Sequence, residues 1–147
     1  MRPSRPKGNG PPRRSSAPVV LVVDDADDAR MLYAEYLERR GFKALVASGA
    51  ETAKAMALAR HPDVIVMDYS LAGSNGLTVT RELKREARTA DIPVIILTGH
   101  VALAAVTPAT VREAGASTLA IKPCLPDVIE TEIRQLIAGR AEFRYVA

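Results

Sequence analysis

Five polar residues follow directly on short apolar runs that are typical of buried strands. They are Asp24, Asp25, Asp68, Thr98 and Lys122. A lone carboxylate is costly to bury in apolar surroundings, so we expect each polar side chain just past the end of its strand. In a parallel sheet these ends lie on one edge, where open α/β sheets bind ligands. Three carboxylates, a hydroxyl and an ammonium group at one edge would suit a divalent cation and a phosphoryl group.

The paired acids Asp24 and Asp25 predict a metal ion. Carboxylates that are packed together raise one another's pKa values unless a cation offsets their charge, and oxygen ligands favour Mg²⁺. An isolated Asp-Asp pair more often lies in a solvated loop or caps a helix. Here the prediction of a metal site is strengthened because Asp68 and Lys122 are expected at the same edge. An EF-hand is excluded because the glycine and the terminal glutamate of its loop are missing.

The remaining residues of the set suit phosphoryl transfer. Asp68 could act as a nucleophile toward phosphorus and form an acyl phosphate. Lys122 would supply a point charge on a flexible stem, and Thr98 a hydroxyl donor. Taken singly, a threonine after a strand is usually a turn residue and a lysine is usually a solvated charge, so the prediction rests on the whole set.

Strand-like and helix-like segments alternate along the chain, which predicts βαβ units, a parallel sheet and an α/β fold. The first helix is expected to begin near Asp27 or Asp28, which could cap its free N–H groups. Between residues 99 and 115 the pattern allows either a kinked helix or a short one beginning near Thr107, which precedes Pro108 as a cap precedes the first helical residue.

The length of 147 residues and a hydrophobic fraction of 48% fit one ordinary domain. No apolar run approaches the roughly 18 residues of a membrane span, and we expect no membrane association. Cys124 is the single cysteine, so no internal disulfide can form and a reducing cytoplasm is the expected compartment. A nucleophilic role for Cys124 is disfavoured because no histidine lies near it in sequence.

The net charge of +3 is unevenly distributed. Residues 1–18 carry +5 and the rest carry −2. We expect a disordered basic tail over 1–17, a folded domain over 18–139 and a C-terminal tail over 140–147. The basic tail is either a solubilising extension or a weak tether to a polyanion. Nucleic acid is an unlikely partner because no aromatic residue is interleaved with the basic ones.

Taken in order, the motifs resemble the receiver domain of two-component response regulators. They are Val-Asp-Asp at 23–25, Asp68, Thr98-Gly99 and Lys122-Pro123. The resemblance covers about residues 18–138. It implies a doubly wound, flavodoxin-like fold, with a five-stranded parallel sheet of order 2-1-3-4-5 and helices on both faces. It also implies a phosphoprotein of the single-domain, stand-alone type that acts in a two-component phosphorelay and changes its affinity for a downstream protein target.

The resemblance also implies a role for each site residue in the metal centre. Asp25, Asp68 and the backbone carbonyl of Ser70 would bind Mg²⁺ directly, and Asp24 would assist through water. By resemblance, the side chains two residues past Asp68 and two residues past Thr98 would flank the path of the hydrolytic water. His100 and Ser70 stand there, and we hypothesise that they tune the lifetime of the phosphoaspartate; an exposed loop histidine is the alternative for His100.

By the same resemblance, Asp68 would accept a phosphoryl group from a histidine kinase or a histidine phosphotransfer protein. Thr98 and Lys122 would contact that group, and the peptide bond from Lys122 to Pro123 would be cis. The protein would then phosphorylate and dephosphorylate itself, without acting as an enzyme on a separate substrate.

Three departures from the family pattern leave alternatives open. Leu119 stands where most receivers carry an aromatic residue, Leu71-Ala72 replaces the usual Met-Pro, and the stretch from 98 to 115 is longer than usual. These changes concern switching, so a phosphorylation-independent interaction module is one alternative. A receiver fragment of a longer DNA-binding regulator or hybrid kinase is another. A phosphohydrolase of the haloacid dehalogenase type is disfavoured, because it would need an aspartate where Ser70 stands.

Overall fold

The computed structural model describes residues 16–99 and 106–147. Its strands are β1 (Val19–Val23), β2 (Lys43–Ala47), β3 (Val64–Asp68), β4 (Ser70–Leu71), β5 (Ser74–Asn75), β6 (Val94–Thr98), β7 (Thr118–Ile121) and β8 (Arg144–Val146). Its helices are α1 (Asp27–Arg39), α2 (Ala50–Arg60), α3 (Gly76–Arg85), α4 (Pro108–Glu113) and α5 (Pro126–Ile137). His100 and residues 1–15 lie outside the described residues, so the tuning role of His100 and the disorder of the basic tail remain predictions.

The main sheet is parallel, with strand order β2-β1-β3-β6-β7-β8. The first five of these strands have the predicted order 2-1-3-4-5, which is thereby confirmed. The small strands β4 and β5 form a separate antiparallel pair directly after β3. Because all the long strands run in one direction, the carboxyl ends of β1, β3, β6 and β7 share one edge of the sheet.

Helices cover both faces of the sheet, as the doubly wound prediction requires. The strands are nearly continuous runs of Val, Ile and Leu, which is typical of a sheet buried on both faces. One core layer packs against α2, α3 and α4, and includes Ile65, Ile96 and Val111. The other packs against α1 and α5, and includes Ile95 and Ile133. None of the described helices is long and apolar enough to cross a membrane.

Two predicted helix starts can be compared with the structure. Helix α1 begins at Asp27, but its N-cap residue is Ala26, whose side chain caps nothing; the two aspartates lie in the first turn instead, where they favour the helix dipole. Helix α4 begins at Pro108, with Thr107 as its N-cap residue. This start agrees with the predicted short helix beginning near Thr107. The hydroxyl groups of Thr107 and Thr110 form a reciprocal capping box there.

The segment 140–147 differs from the predicted C-terminal tail. Its residues Arg144–Val146 form β8, which pairs in parallel with β7 and adds a sixth strand to the sheet. Phe143 packs on the core layer of α2, α3 and α4, while Val146 packs on the opposite layer. The guanidinium group of Arg112 lies over the Phe143 ring, 5.2 Å from its centre. Apolar contacts on both faces therefore hold this strand at the sheet edge.

A buried carboxylate on α5 explains why this polar segment folds back. Glu132 is 2% exposed, and its oxygens accept hydrogen bonds from Arg140 at 2.8 Å, from Arg144 at 3.2 Å and from the Thr118 hydroxyl at 3.3 Å. Arg140 also donates to Thr118 at 2.7 Å. A buried charge is tolerated when it is paired and hydrogen-bonded, and both cations come from the C-terminal segment.

A second buried carboxylate joins α5 to α1. Glu130 accepts hydrogen bonds from Tyr36 at 2.9 Å, from Arg40 at 3.1 Å and from Arg134 at 2.9 Å. Burial acts to raise the pKa of Glu130, but these hydrogen bonds outweigh it and hold the pKa below its usual value. The ionised carboxylate thus links the two helices that cover one face of the sheet.

The role of the C-terminal strand can be tested by truncating its two arginines separately. Arg140 is 11% exposed and Arg144 is 48% exposed, so Arg140 makes the more desolvated pair with Glu132. We expect Arg140→Ala to lower the free energy of unfolding by about 1.5–3 kcal/mol, because a charged hydrogen-bonding partner of a buried carboxylate is lost. Arg144→Ala should cost at most about 1 kcal/mol. Urea unfolding of both variants measures this order; equal and negligible losses would show that the segment is a tail.

Candidate functional site

Three carboxylates converge at the carboxyl edge of the sheet. One oxygen each of Asp24, Asp25 and Asp68 can be chosen so that all three lie within 4.8 Å of one another. Asp24 and Asp25 follow β1, and Asp68 is the last residue of β3, its neighbour in the sheet. Asp24 is 2% exposed and Asp68 is 6% exposed, while Asp25 is exposed to solvent. The parallel pairing of the two strands therefore brings the predicted acids together.

Asp24 is held by two hydrogen bonds, but one of its carboxylate oxygens is unsatisfied. Its Oδ1 accepts a hydrogen bond from the Ala26 N–H at 2.9 Å, and its backbone carbonyl accepts one from Arg30 at 2.8 Å. Within residues 16–99 and 106–147, its Oδ2 is buried and has no hydrogen-bond donor. A buried carboxylate oxygen without a donor is costly, and a divalent cation beside Asp25 and Asp68 would satisfy it. The donor set therefore fits Mg²⁺.

Asp68 contacts the ammonium group of Lys122 through Oδ1, and its Oδ2 accepts a hydrogen bond from the Ser70 N–H at 3.2 Å. The Lys122 ammonium also lies 4.0 Å from Asp24 Oδ2. Burial raises the pKa of Asp68 above its ordinary value; Lys122 and the Ser70 N–H oppose this shift, and the nearby Asp24 adds to it. The protein thus stabilises the charged form of this carboxylate only in part.

Thr98 and Lys122 come from the two neighbouring strands. Thr98 ends β6, is 2% exposed, and pairs with Ile121 of β7. Lys122 follows β7, and its backbone N–H donates to the Thr98 carbonyl at 2.8 Å. The peptide bond between Lys122 and Pro123 is cis. All five residues predicted from the strand ends therefore lie at one edge of the sheet, at the carboxyl ends of β1, β3, β6 and β7. Ser70 lies at the same edge, two residues past Asp68.

Gly76 is a residue of the site that the sequence did not single out. It begins α3, and its N–H donates to the Tyr69 carbonyl at 2.7 Å. A Cβ atom at this position would lie 2.6 Å from the backbone oxygen of Asp68. The Asn75 side chain caps the same helix by accepting from the Thr78 N–H at 2.9 Å. The hairpin after Asp68 can therefore close tightly against the site only if this position has no side chain.

Tyr33 also reaches the site, although the sequence predicts only a core residue at this position. It belongs to an apolar stripe at helical spacing along α1, formed by Ala29, Leu32, Tyr33, Tyr36 and Leu37. Its side chain is buried, and its hydroxyl donates to the Cys124 carbonyl at 2.6 Å. Cys124 lies two residues beyond Lys122, across 91 positions of sequence from Tyr33. No local pattern could have indicated this contact, because its two partners meet only when the sheet is complete.

Comparison with known proteins identifies what this geometry resembles. A family model described as the response regulator receiver domain matches residues 20–134. The response regulator UvrY of Escherichia coli O6:H1 is 36% identical over 130 residues, covering 87% of this chain and 56% of UvrY. The phosphate regulon transcriptional regulatory protein PhoB of Pseudomonas aeruginosa is 40% identical over 79 residues, covering 54% of this chain and 34% of PhoB. The matches span only 34% of the length of PhoB and 56% of the length of UvrY.

Solved structures show the same fold. A two-component response regulator of the LuxR family from Aurantimonas sp. SI85-9A1 has a TM-score of 0.75 and 29% identity, covering 86% of this chain and 89% of that one. The chemotaxis response regulator CheY4 of Vibrio cholerae has a TM-score of 0.72 and 22% identity, covering 82% and 99% respectively. The second likeness concerns the fold alone.

Gly76→Ala tests the close approach beneath Asp68. Because the new Cβ would overlap the Asp68 carbonyl, we expect the free energy of unfolding to fall by about 1–3 kcal/mol, as in other overpacked sites. Gly49→Ala is the matched control, since a Cβ at Gly49 meets no atom within 4 Å. Thermal unfolding of both variants gives the comparison. Equal stability of the two variants would contradict the tight packing described here.

The raised pKa of Asp68 predicts a pH-dependent effect of Asp68→Asn in EDTA. The folded state binds the Asp68 proton more tightly than the unfolded chain, whose carboxyl has an ordinary pKa near 3.8. Wild-type stability therefore loses this contribution as pH rises from below 3.8 through the raised folded value. The stability of Asp68→Asn relative to wild type should increase over that range and then level off. Calorimetry of both proteins at roughly five pH values between about 3.5 and 8 measures this trend. A stability difference between Asp68→Asn and wild type that does not vary with pH, or that shrinks as pH rises, contradicts the prediction.

Proposed function

Because this chain belongs to the response regulator receiver domain family, we propose that it is a phospho-acceptor switch in which Asp68 takes the phosphoryl group. The observation that carries the proposal is the cluster of Asp24, Asp25 and Asp68 with Lys122 in contact with Asp68. Family membership supports phospho-acceptor signalling in general, and the cluster supports these residues as its site. A phosphorylation-independent module would have no need to bury two carboxylates side by side.

The donor we propose is a phosphohistidine of a histidine kinase or of a histidine phosphotransfer protein. A carboxylate oxygen of Asp68 would attack phosphorus, the new O–P bond would form as the P–N bond breaks, and the electron pair would leave with the histidine nitrogen. Lys122 would stabilise the negative charge on the phosphoryl oxygens, and the Thr98 hydroxyl would donate a hydrogen bond to them. Both residues already stand at the sheet edge that carries Asp68.

The metal we propose is Mg²⁺, held by Asp25, Asp68 and the backbone carbonyl of Ser70, with Asp24 assisting through water. When bound, it would neutralise charge on the transferring phosphoryl group. The buried, unsatisfied Oδ2 of Asp24 supports this assignment.

A groove beside Lys122 offers a surface for the phosphodonor protein. It has a volume of about 540 Å³ and is lined mainly by apolar side chains of α1 and of the loop between β7 and α5. Leu32 is 57% exposed and Leu125 is 67% exposed along this groove. Large exposed apolar side chains in a groove that includes Lys122, the residue in contact with Asp68, favour docking of a protein over binding of a small donor alone.

The output we propose is a change in affinity for a downstream protein partner. Phosphorylation of Asp68 would add negative charge that attracts the Lys122 ammonium and the Thr98 hydroxyl. This attraction would shift the equilibrium between two conformations of the sheet edge. The transcriptional role in PhoB's name belongs to that protein, which is about three times as long as the matched segment.

The proposal predicts a specific label on Asp68. Incubation with acetyl phosphate or with a phosphorylated histidine kinase should phosphorylate the wild type, and EDTA should abolish the reaction. Asp68→Asn should take up no label, while Asp63→Asn, which alters an exposed aspartate outside the cluster, should be labelled like the wild type. Mass shift and Phos-tag electrophoresis give the readout. Label that persists in Asp68→Asn, or that forms without a divalent ion, would defeat the proposal.

A further inference from the structure

The loop between β7 and α5 carries Lys122, and its far side is tied to α1. The loop runs from Lys122 to Leu125, and its start is fixed by the hydrogen bond from the Lys122 N–H to the Thr98 carbonyl. Pro123 and Pro126 have no N–H with which to make further contacts. The Cys124 carbonyl accepts a hydrogen bond from the Tyr33 hydroxyl at 2.6 Å, which is short for a tyrosine.

We infer that Tyr33 is a positioning residue for phosphoryl transfer, and that it acts by holding the loop so that the Lys122 ammonium stays against Asp68. The inference rests on the proposed function of Asp68. The Tyr33 ring is 6% exposed and belongs to the core layer of α1 and α5, so its hydroxyl is presented from a fixed frame. The lysine has a flexible stem and is 35% exposed, so its own side chain does not fix where the ammonium lies.

Tyr33 also joins the two halves of the site. Helix α1 follows Asp24 and Asp25, and its Arg30 donates a hydrogen bond to the Asp24 backbone carbonyl at 2.8 Å. The helix that carries the Tyr33 hydroxyl is therefore also bonded to the acidic pair. Burial, with smaller effects from Cys124, Asp24 and Asp68, raises the pKa of Tyr33 to about 12. The phenol therefore remains a hydrogen-bond donor throughout the physiological pH range.

The first test is a double-mutant cycle on the rate of phosphorylation by acetyl phosphate in saturating Mg²⁺. Tyr33→Phe keeps the ring and removes the hydroxyl, and we expect the rate constant to fall about threefold to tenfold, which corresponds to about 0.7–1.4 kcal/mol. The fall should disappear when Lys122 is already alanine, because Tyr33 acts through that lysine. Tyr36→Phe is the matched control; it removes a hydroxyl from the same helix that is bonded to Glu130 and should leave the rate unchanged.

A second measurement needs no phosphorylation. The Lys122 amine should react with an N-hydroxysuccinimide ester at least about threefold faster in Tyr33→Phe, since a displaced loop releases it from Asp68. Lys54, which is paired with Glu51 and Glu82 far from this loop, provides the internal reference by mass spectrometry. Should the wild type take up no phosphoryl label, the function proposed for Asp68 fails, while this ratio still decides whether Tyr33 positions Lys122.

Two results would overturn the inference. One is an unchanged ratio of Lys122 to Lys54 acylation in Tyr33→Phe, or an equal rise in Tyr36→Phe. The other is a fall in phosphorylation rate that persists in full when Lys122 is alanine, which would show that Tyr33 acts on stability or on the metal site instead. Mg²⁺ affinity by titration calorimetry should stay within about twofold of wild type in Tyr33→Phe, since the hydroxyl touches no proposed ligand.

Discussion

The structure of this protein depends on holding two carboxylates, Asp24 and Asp68, side by side where water is largely excluded. Parallel pairing of β1 with β3 puts them together, and the apolar faces of those strands supply the energy that keeps them there. Only one protein cation, Lys122, contacts Asp68 within the described part of the chain. Neither charge balance nor hydrogen bonding is complete without a further cation. Stability and function are therefore in conflict at this edge of the sheet, and the core compensates.

Much of this arrangement follows from the sequence because it is local in origin. An apolar run that ends in a polar residue indicates both that a strand is buried and where it ends. The alternation of strands with helices predicts that the strands are parallel. The sequence alone therefore predicts Asp68, Thr98 and Lys122 at one edge of the sheet. The family resemblance then supplied the order of the strands, which adjacent sequence does not determine.

What the sequence did not indicate arises from contacts between distant segments. Residues 140–147 look like a charged tail, because a strand of three residues has no periodicity to detect. They fold back because Phe143 and Val146 pack on the core and because Arg140 and Arg144 pair with the buried Glu132. Gly76 looks like an ordinary loop glycine, and its closeness to the Asp68 carbonyl appears only in three dimensions. Tyr33 fits an apolar stripe so well that its hydroxyl goes unnoticed.

These distant contacts share one consequence for the lysine that faces the site. Lys122 lies between β7 and α5, so its position depends on how both elements are held. Strand β7 lies between β6 and β8, and α5 is fixed to the C-terminal segment through Glu132. Charged contacts at the far side of the domain thus fix the frame in which a single ammonium group meets Asp68. A residue on α5 can in this way influence the site without touching it, provided that it shifts the helix as a rigid body.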